Sequence, residues 1–226
     1  MLMIPRAAVL LLPLALAGSA VAAEVQTAAS QGAMTPDQAL TRLREGNARF
    51  VANQPKQRNW SAKVIATASG QYPFAAVLGC MDSRAPIEVV FDQGIGDVFG
   101  VRIAGNVVNE DELGSLEYAV KVVGVKLVVV LGHTSCGAVK GAIDDAKLGN
   151  LTQLLAKIRP AVTAAKCSDS KDAACVDKVA AENVRMSMRE IKERSTDLAA
   201  AIDGGKVKLV GAMYDIATGK VAFLEP

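Results

Sequence analysis

The stretch Lys126-Leu127-Val128-Val129-Val130-Leu131-Gly132-His133-Thr134-Ser135-Cys136-Gly137 contains a run of apolar residues, Leu127 to Leu131, with no polar alternation. A strand with one wet face alternates. One covered on both faces does not, as is usual for parallel strands between layers of helix. Three further apolar, Val-containing runs read as strands: Phe74 to Leu78, Val98 to Ile103 and Val207 to Tyr214. Helical patterns separate them. A short one follows Pro86, and Leu113, Leu116, Ala119, Val120 and Val123 recur at helical spacing before Gly124, a residue suited to closing a helix. Alternating strand and helix predicts right-handed crossovers and a mostly parallel central sheet flanked by helices, an α/β fold. Thr218-Gly219 then joins the fourth run to Val221–Leu224 as a hairpin, which adds an antiparallel edge strand.

Toward the N-terminus, Thr35-Pro36-Asp37-Gln38 supplies a capping hydroxyl, a proline at the first helical position and a glutamine at the third. Leu40, Leu43 and Phe50 follow at helical spacing, so a helix is expected over about Pro36 to Asn53. Toward the C-terminus, helices are expected over Leu151–Ala165 and Val176–Arg194, with a further turn before Gly204-Gly205. Residues 1–23 carry Arg6, an apolar stretch from Ala7 to Ala17 and the small residues Ala20-Val21-Ala22-Ala23, the pattern of a cleavable secretory signal. The apolar stretch is shorter than the roughly 20 residues a spanning helix needs. The expected organisation is therefore a signal peptide over 1–23, a flexible lead-in over 24–34 and one domain over 35–226, in a periplasmic or secreted protein that meets no membrane after cleavage.

Hydrophobic residues make up 51% and charged residues 21% of the chain, which excludes disorder and collagen-like or coiled-coil architectures. The formal charge is +2, and loss of residues 1–23 removes Arg6 alone. No basic run is long enough to neutralise several phosphates, so nucleic acid is not an expected partner.

The chain has one histidine and four cysteines, so metal ligands can be searched exhaustively. Cys80 follows the first strand in Gly79-Cys80-Met81-Asp82-Ser83-Arg84, and His133 and Cys136 follow the third. In an open parallel sheet, ligands bind outside the carboxyl ends of the strands, so both motifs face one crevice if their strands are neighbours. Taken singly, each residue reads as a buried cysteine or a satisfied core histidine. Their spacing and shared placement after strands favour two thiolates and an imidazole converging on Zn²⁺, with a fourth position left for water. A carboxylate at Asp82 would orient that water, and Arg84 would keep the carboxylate ionised and in place. Cys167 and Cys175 lie in a polar link between helices. In an oxidising compartment they would close a disulfide worth about 2.6 kcal/mol; the alternative is two free thiols.

The Cys-x-Asp-Ser-Arg segment at Cys80–Arg84, together with His133-x-x-Cys136, resembles the β-class carbonic anhydrases. The resemblance runs from about Leu40 to Leu224 and includes Arg42-Leu43-Arg44-Glu45-Gly46-Asn47-Ala48-Arg49-Phe50 and Gly211-Ala212-Met213-Tyr214-Asp215. It implies reversible hydration of carbon dioxide to bicarbonate and a proton. Cys80, His133 and Cys136 would bind zinc, and Asp82 and Arg84 would form a catalytic dyad. Gln71, Phe99 and Tyr118 match a plant-like subgroup, Gln71 as a donor to substrate and the two aromatics as cleft walls. Ala104 departs from the larger valine common there. In a closed variant known across the family, Asp82 leaves Arg84 and takes the fourth zinc position. The resemblance also implies a homodimer or a dimer-based oligomer, with the N-terminal helix on the partner and Gln71 serving the neighbour's site. Because the single histidine is already a ligand, proton transfer would fall to solvent or another group. Two rivals stand beside it: a carbonyl sulfide or carbon disulfide hydrolase on the same scaffold, and, from another class, a non-enzymatic zinc or bicarbonate-binding protein.

Overall fold

The structure, a computed structural model, describes residues 25–224. The signal expected over 1–23 lies outside the described residues. Part of the segment read as a flexible lead-in is instead a capped helix, α1 (Ala28–Ala33). Thr27 and Ser30 form a reciprocal capping box, and the buried Gln31 donates through Nε2 to the Pro73 carbonyl at 2.7 Å. Small polar residues concealed one docking side chain.

Helix α2 (Pro36–Val51) begins as its capping signature predicts. The Thr35 hydroxyl accepts from Gln38 N–H at 3.2 Å, and Gln38 Oε1 accepts from Thr35 N–H at 2.8 Å. Ala39, Leu40 and Leu43 turn its apolar face into the core. Gly46 brings the helix close to the next layer, since a Cβ there would lie 1.8 Å from the Phe91 carbonyl oxygen. After α3 (Trp60–Thr67) come β1 (Ala75–Gly79), α4 (Ile87–Val90) and β2 (Val98–Arg102). Buried Asp92 fastens the segment after α4 to α2 through Arg49 and to the link before α3 through Arg58.

Helix α5 (Glu110–Glu117) continues as a π-helical stretch, Tyr118–Val123. There Gly124 N–H donates to the Ala119 carbonyl, and Gly124 takes the left-handed closing conformation at φ 86°. Strand β3 (Leu127–His133) is followed by α6 (Gly137–Ile143), α7 (Leu151–Ala165), α8 (Ala173–Arg194), α9 (Thr196–Asp203), β4 (Lys208–Tyr214) and β5 (Val221–Phe223). The final hairpin turns through Asp215–Lys220, wider than Thr218-Gly219 alone, with Asp215 Oδ1 accepting from the Ala217 and Thr218 N–H groups.

Among the described residues the sheet has the order β2-β1-β3-β4-β5, the first four strands parallel and β5 antiparallel on β4. Every residue of β1 and β3 is buried, as the uninterrupted apolar runs require. One core layer holds Leu43, Phe74, Val77, Ile87, Phe91 and Leu127; the opposite face packs Leu78, Leu116, Val128, Val130, Val184 and Ile191. The strand order places the chain's reversal between β1 and β3. Strand β2 is added on one side of β1, and the chain then crosses back to place β3 on the other, which opens a crevice at their carboxyl ends. No helix among the described residues is long and apolar enough to cross a membrane.

Candidate metal centre

Strands β1 and β3 are hydrogen-bonded neighbours, Gly79 opposite Leu131, so Cys80 and the His133–Cys136 turn emerge side by side at the reversal point. The donor atoms of Cys80, His133 and Cys136 all lie within 4.8 Å of one another, and all three residues are buried. Two sulfurs bound about 2.3 Å from one tetrahedral ion would stand roughly 3.8 Å apart, a comparable scale.

The imidazole is oriented for ligation. His133 is 1% exposed, and its Nδ1 lies 2.9 Å from the Thr134 carbonyl, so Nδ1 carries the proton and Nε2 keeps its lone pair. Nε2 is buried with no hydrogen-bond partner among the described residues. An orphaned imidazole nitrogen beside two sulfurs fits a divalent ion of zinc's softness.

Protonation follows the same geometry. The Cys136 thiol beside Cys80 holds the Cys80 pKa down to about 4 against the opposing effect of burial, helped by the nearby His133 ring and by the Gly105 and Asp82 backbone. Cys136 is pushed well up by that neighbouring thiolate and by burial. Burial opposes charge on His133, but the neighbouring Cys80 sulfur and its negative charge prevail and raise its pKa. Without metal, one thiolate is thus stabilised by a thiol and an imidazole; an ion would need both sulfurs deprotonated.

Asp82 sits at the rim of this cluster, its Oδ2 3.8 Å from His133 Nε2. Arg84 holds both of its oxygens: Nε donates to Oδ1 at 2.9 Å, Nη2 to Oδ2 at 2.7 Å, and the backbone N–H to Oδ1 at 2.9 Å. Those bonds hold the Asp82 carboxyl well below the usual carboxylate range. The three-donor cluster does not include Asp82.

Sequence reasoning missed the residues that brace these loops. Arg102, at the end of β2, donates through Nε to the Cys80 carbonyl at 3.0 Å and through Nη2 to the Asp82 carbonyl at 2.5 Å. The Tyr214 hydroxyl, opposite His133 in the register of β3 and β4, donates to the Arg84 carbonyl at 3.2 Å. A charged residue closing an apolar strand was the available signal for Arg102.

The three expected substrate-contact residues stand apart from the cluster within one chain. Gln71 is exposed and precedes β1, whereas Cys80 follows it. The five residues of β1 alone span about 16 Å. Phe99 lies in register with Ala76, and its ring centroid is 6.3 Å from that of Tyr118. The two aromatics line an open groove of about 580 Å³ between β2 and α5, which includes none of the three cluster residues. Ala104 opens the 3₁₀ turn Ala104–Asn106 after β2, beside the peptide that contacts Cys80. Cys167 and Cys175 form a disulfide joining the end of α7 to the first turn of α8.

The carbonic anhydrase family model matches residues 75–221. A carbonic anhydrase of Mycolicibacterium smegmatis is 39% identical over 192 residues, spanning 82% of this chain and 92% of that protein. Carbonic anhydrase 2 of Mycobacterium tuberculosis is 39% identical over 191 residues, spanning 82% and 91% respectively. Among solved structures, a β-carbonic anhydrase of Aspergillus fumigatus superposes with a TM-score of 0.66 at 27% identity, covering 84% of this chain and 92% of that one. A structure described as a tetrameric β-carbonic anhydrase of Sordaria macrospora gives 0.66 at 26% identity, covering 74% and 91%.

Proposed function

Because the chain belongs to the β class of the carbonic anhydrase family, we propose that it catalyses the reversible hydration of carbon dioxide to bicarbonate at a zinc ion held by Cys80, His133 and Cys136. The observation that carries this reading is the unpartnered, buried Nε2 of His133 facing two sulfurs at the sheet's reversal point. Zinc, when bound, lowers the pKa of a coordinated water from about 15.7 toward 7 and so makes a nucleophile available near neutral pH.

The chain's own residues direct that nucleophile. Asp82 is an ionised acceptor at the rim of the cluster, able to take a hydrogen bond from the reacting water and aim its lone pair at the substrate carbon. Arg84 fixes Asp82 by its paired side-chain bonds, and Arg102 and Tyr214 fix the backbone on either side. With Asp82 paired to Arg84, its carboxylate would not act as a ligand to the ion, and the closed arrangement would require those bonds to break. No second histidine is present in the sequence to shuttle the product proton, so its release falls to solvent buffer or to a non-histidine group.

The substrate walls need a second copy of the chain in this proposal. Gln71, Phe99 and Tyr118 are remote from their own cluster, consistent with a homodimer or dimer-based oligomer in which they serve a neighbour. Export to the periplasm or medium is proposed from residues 1–23, and the bonded Cys167–Cys175 pair agrees with it.

The test joins metal analysis to stopped-flow hydration. One zinc per chain and rapid, buffer-dependent hydration of carbon dioxide are expected. Zinc-loaded protein that neither hydrates carbon dioxide nor exchanges its oxygen would overturn the enzymatic reading.

A further inference from the structure

Helix α8 buries an apolar stripe: Val184 and Ile191 pack on the sheet face, and Val176, Val179 and Ala180 pack in the layer shared with Cys80, Cys136 and helices α6 and α7. Three polar side chains interrupt that inward surface, and each ends on a loop of the metal centre. Asp177 Oδ1 accepts from the Ser135 N–H at 2.9 Å. Asn183 Nδ2 donates to the Gly105 carbonyl at 2.7 Å, and the Ser187 hydroxyl donates to the Asn106 carbonyl at 3.1 Å. Asn183 and Ser187 are each 3% exposed, so these bonds form where an unpaired group would be costly.

The receiving peptides hold conformations that need support. Ser135 lies between His133 and Cys136 with φ 53°, a left-handed conformation unfavourable for a residue with a Cβ. Gly105 adopts φ 67°, and a Cβ there would meet Ile158 Cδ1 at 2.5 Å. The N–H of Gly105 donates to Cys80 Sγ at 3.3 Å. The residue whose carbonyl Asn183 grips is therefore the one whose N–H reaches the Cys80 sulfur. Asp177 grips the turn that sets His133 against Cys136.

We infer that α8 is a positioning element for the metal centre, with Asn183 holding the Gly105 N–H against the Cys80 sulfur and Asp177 holding the His133–Cys136 turn. The two sulfurs come from loops after different strands, and a single rigid helix sets the distance between them. Residues in such an outer layer hold ligands ready for the ion and shape sulfur basicity, and losing one typically costs 10- to 100-fold in metal affinity or activity.

This inference rests on the zinc reading above, and the experiment separates the two. Zinc release from the full protein into a chromophoric chelator is timed for wild type, Asn183→Ala, Asp177→Ala, Asp177→Asn and Ile191→Ala. Ile191 is on the same helix, eight residues and about 12 Å beyond Asn183, and its truncation destabilises without touching either loop. Asn183→Ala and Asp177→Ala should accelerate release about 10- to 100-fold. Ile191→Ala should stay close to wild type, as should Asp177→Asn, whose amide oxygen still accepts from Ser135.

With cobalt in place of zinc, Asn183→Ala should also shift the sulfur-to-metal charge-transfer band, a change that a loss of fold stability alone does not cause. Should Asn183→Ala fail to fold, the half-buried Asp177 and its two variants carry the comparison. Equal release from the Asn183, Asp177 and Ile191 alanine variants, or an unshifted cobalt band, overturns the inference. Wild-type protein that retains no zinc overturns the metal reading and the inference together.

Discussion

Asp82→Asn isolates the proposed chemical role of the dyad from metal binding. In the native protein Arg84 occupies both carboxylate oxygens, with side-chain bonds of 2.9 and 2.7 Å and a backbone bond of 2.9 Å. Asparagine keeps one acceptor oxygen and turns an NH₂ group toward a guanidinium donor, so one of the paired bonds becomes a contact between donors. The acceptor for the reacting water goes with it. A positioned group of this kind contributes about 10²- to 10⁴-fold, which at 1.36 kcal/mol per decade is about 2.7 to 5.4 kcal/mol of barrier. Fold stability should change little, because the Arg84 side chain is 53% exposed and water screens its charge. Zinc content should stay at the wild-type level, since the three clustered donors are untouched. The assay is stopped-flow hydration with a pH indicator at matched zinc content, alongside urea unfolding. Activity within about tenfold of wild type at full zinc would refute the dyad. Loss of zinc in the variant would instead make Asp82 a ligand.

Two further outcomes test separate parts of the structure. Replacing both Cys167 and Cys175 by serine should lower stability by about 2.6 kcal/mol, read from urea unfolding under non-reducing conditions; an unchanged midpoint would mean that the bond does not constrain the unfolded chain. The Asp82–Arg84 pair also has a signed pH dependence. Arg84 lowers the folded-state pKa of Asp82, so the pair's contribution to folding is fully present above the ordinary value of about 3.9 and fades as pH falls below it. In metal-free protein the stability gap between wild type and Asp82→Asn should therefore stay level from about pH 7 to 5 and narrow below about 4, and a gap that widens on acidification would contradict the assigned cause.

Much of the fold is legible where local chemistry is self-sufficient. Thr35 and Gln38 define the start of α2 because their side chains bond to backbone groups within the same turn. Leu127 to Leu131 reads as a doubly covered strand because nothing in it tolerates water. Legibility fails where the partner is distant in sequence. Gln31 reads as part of a loose segment until the Pro73 carbonyl is beside it. The π-helical stretch Tyr118–Val123 uses residues that an ordinary helix would equally accept. Asn183 and Ser187, four apart on an apolar face, have partners on loops about 80 residues away, which local spacing does not reveal.

The sequence by itself determined the donor set: one histidine and two cysteines that follow strand-like runs, with an Asp-x-Arg beside the first cysteine. Residue type and local order decide such chemistry because hardness, charge and hydrogen-bonding capacity belong to the side chains themselves. Tertiary structure alone decided that β1 lies against β3, that Cys80 meets His133 and Cys136 at the resulting crevice, and that Gln71, Phe99 and Tyr118 do not join them within one chain. Periodicity reports whether a strand is covered, whereas its neighbours are set by how crossovers and helices pack together. That packing supplies the distances, and the helix α8 that holds them.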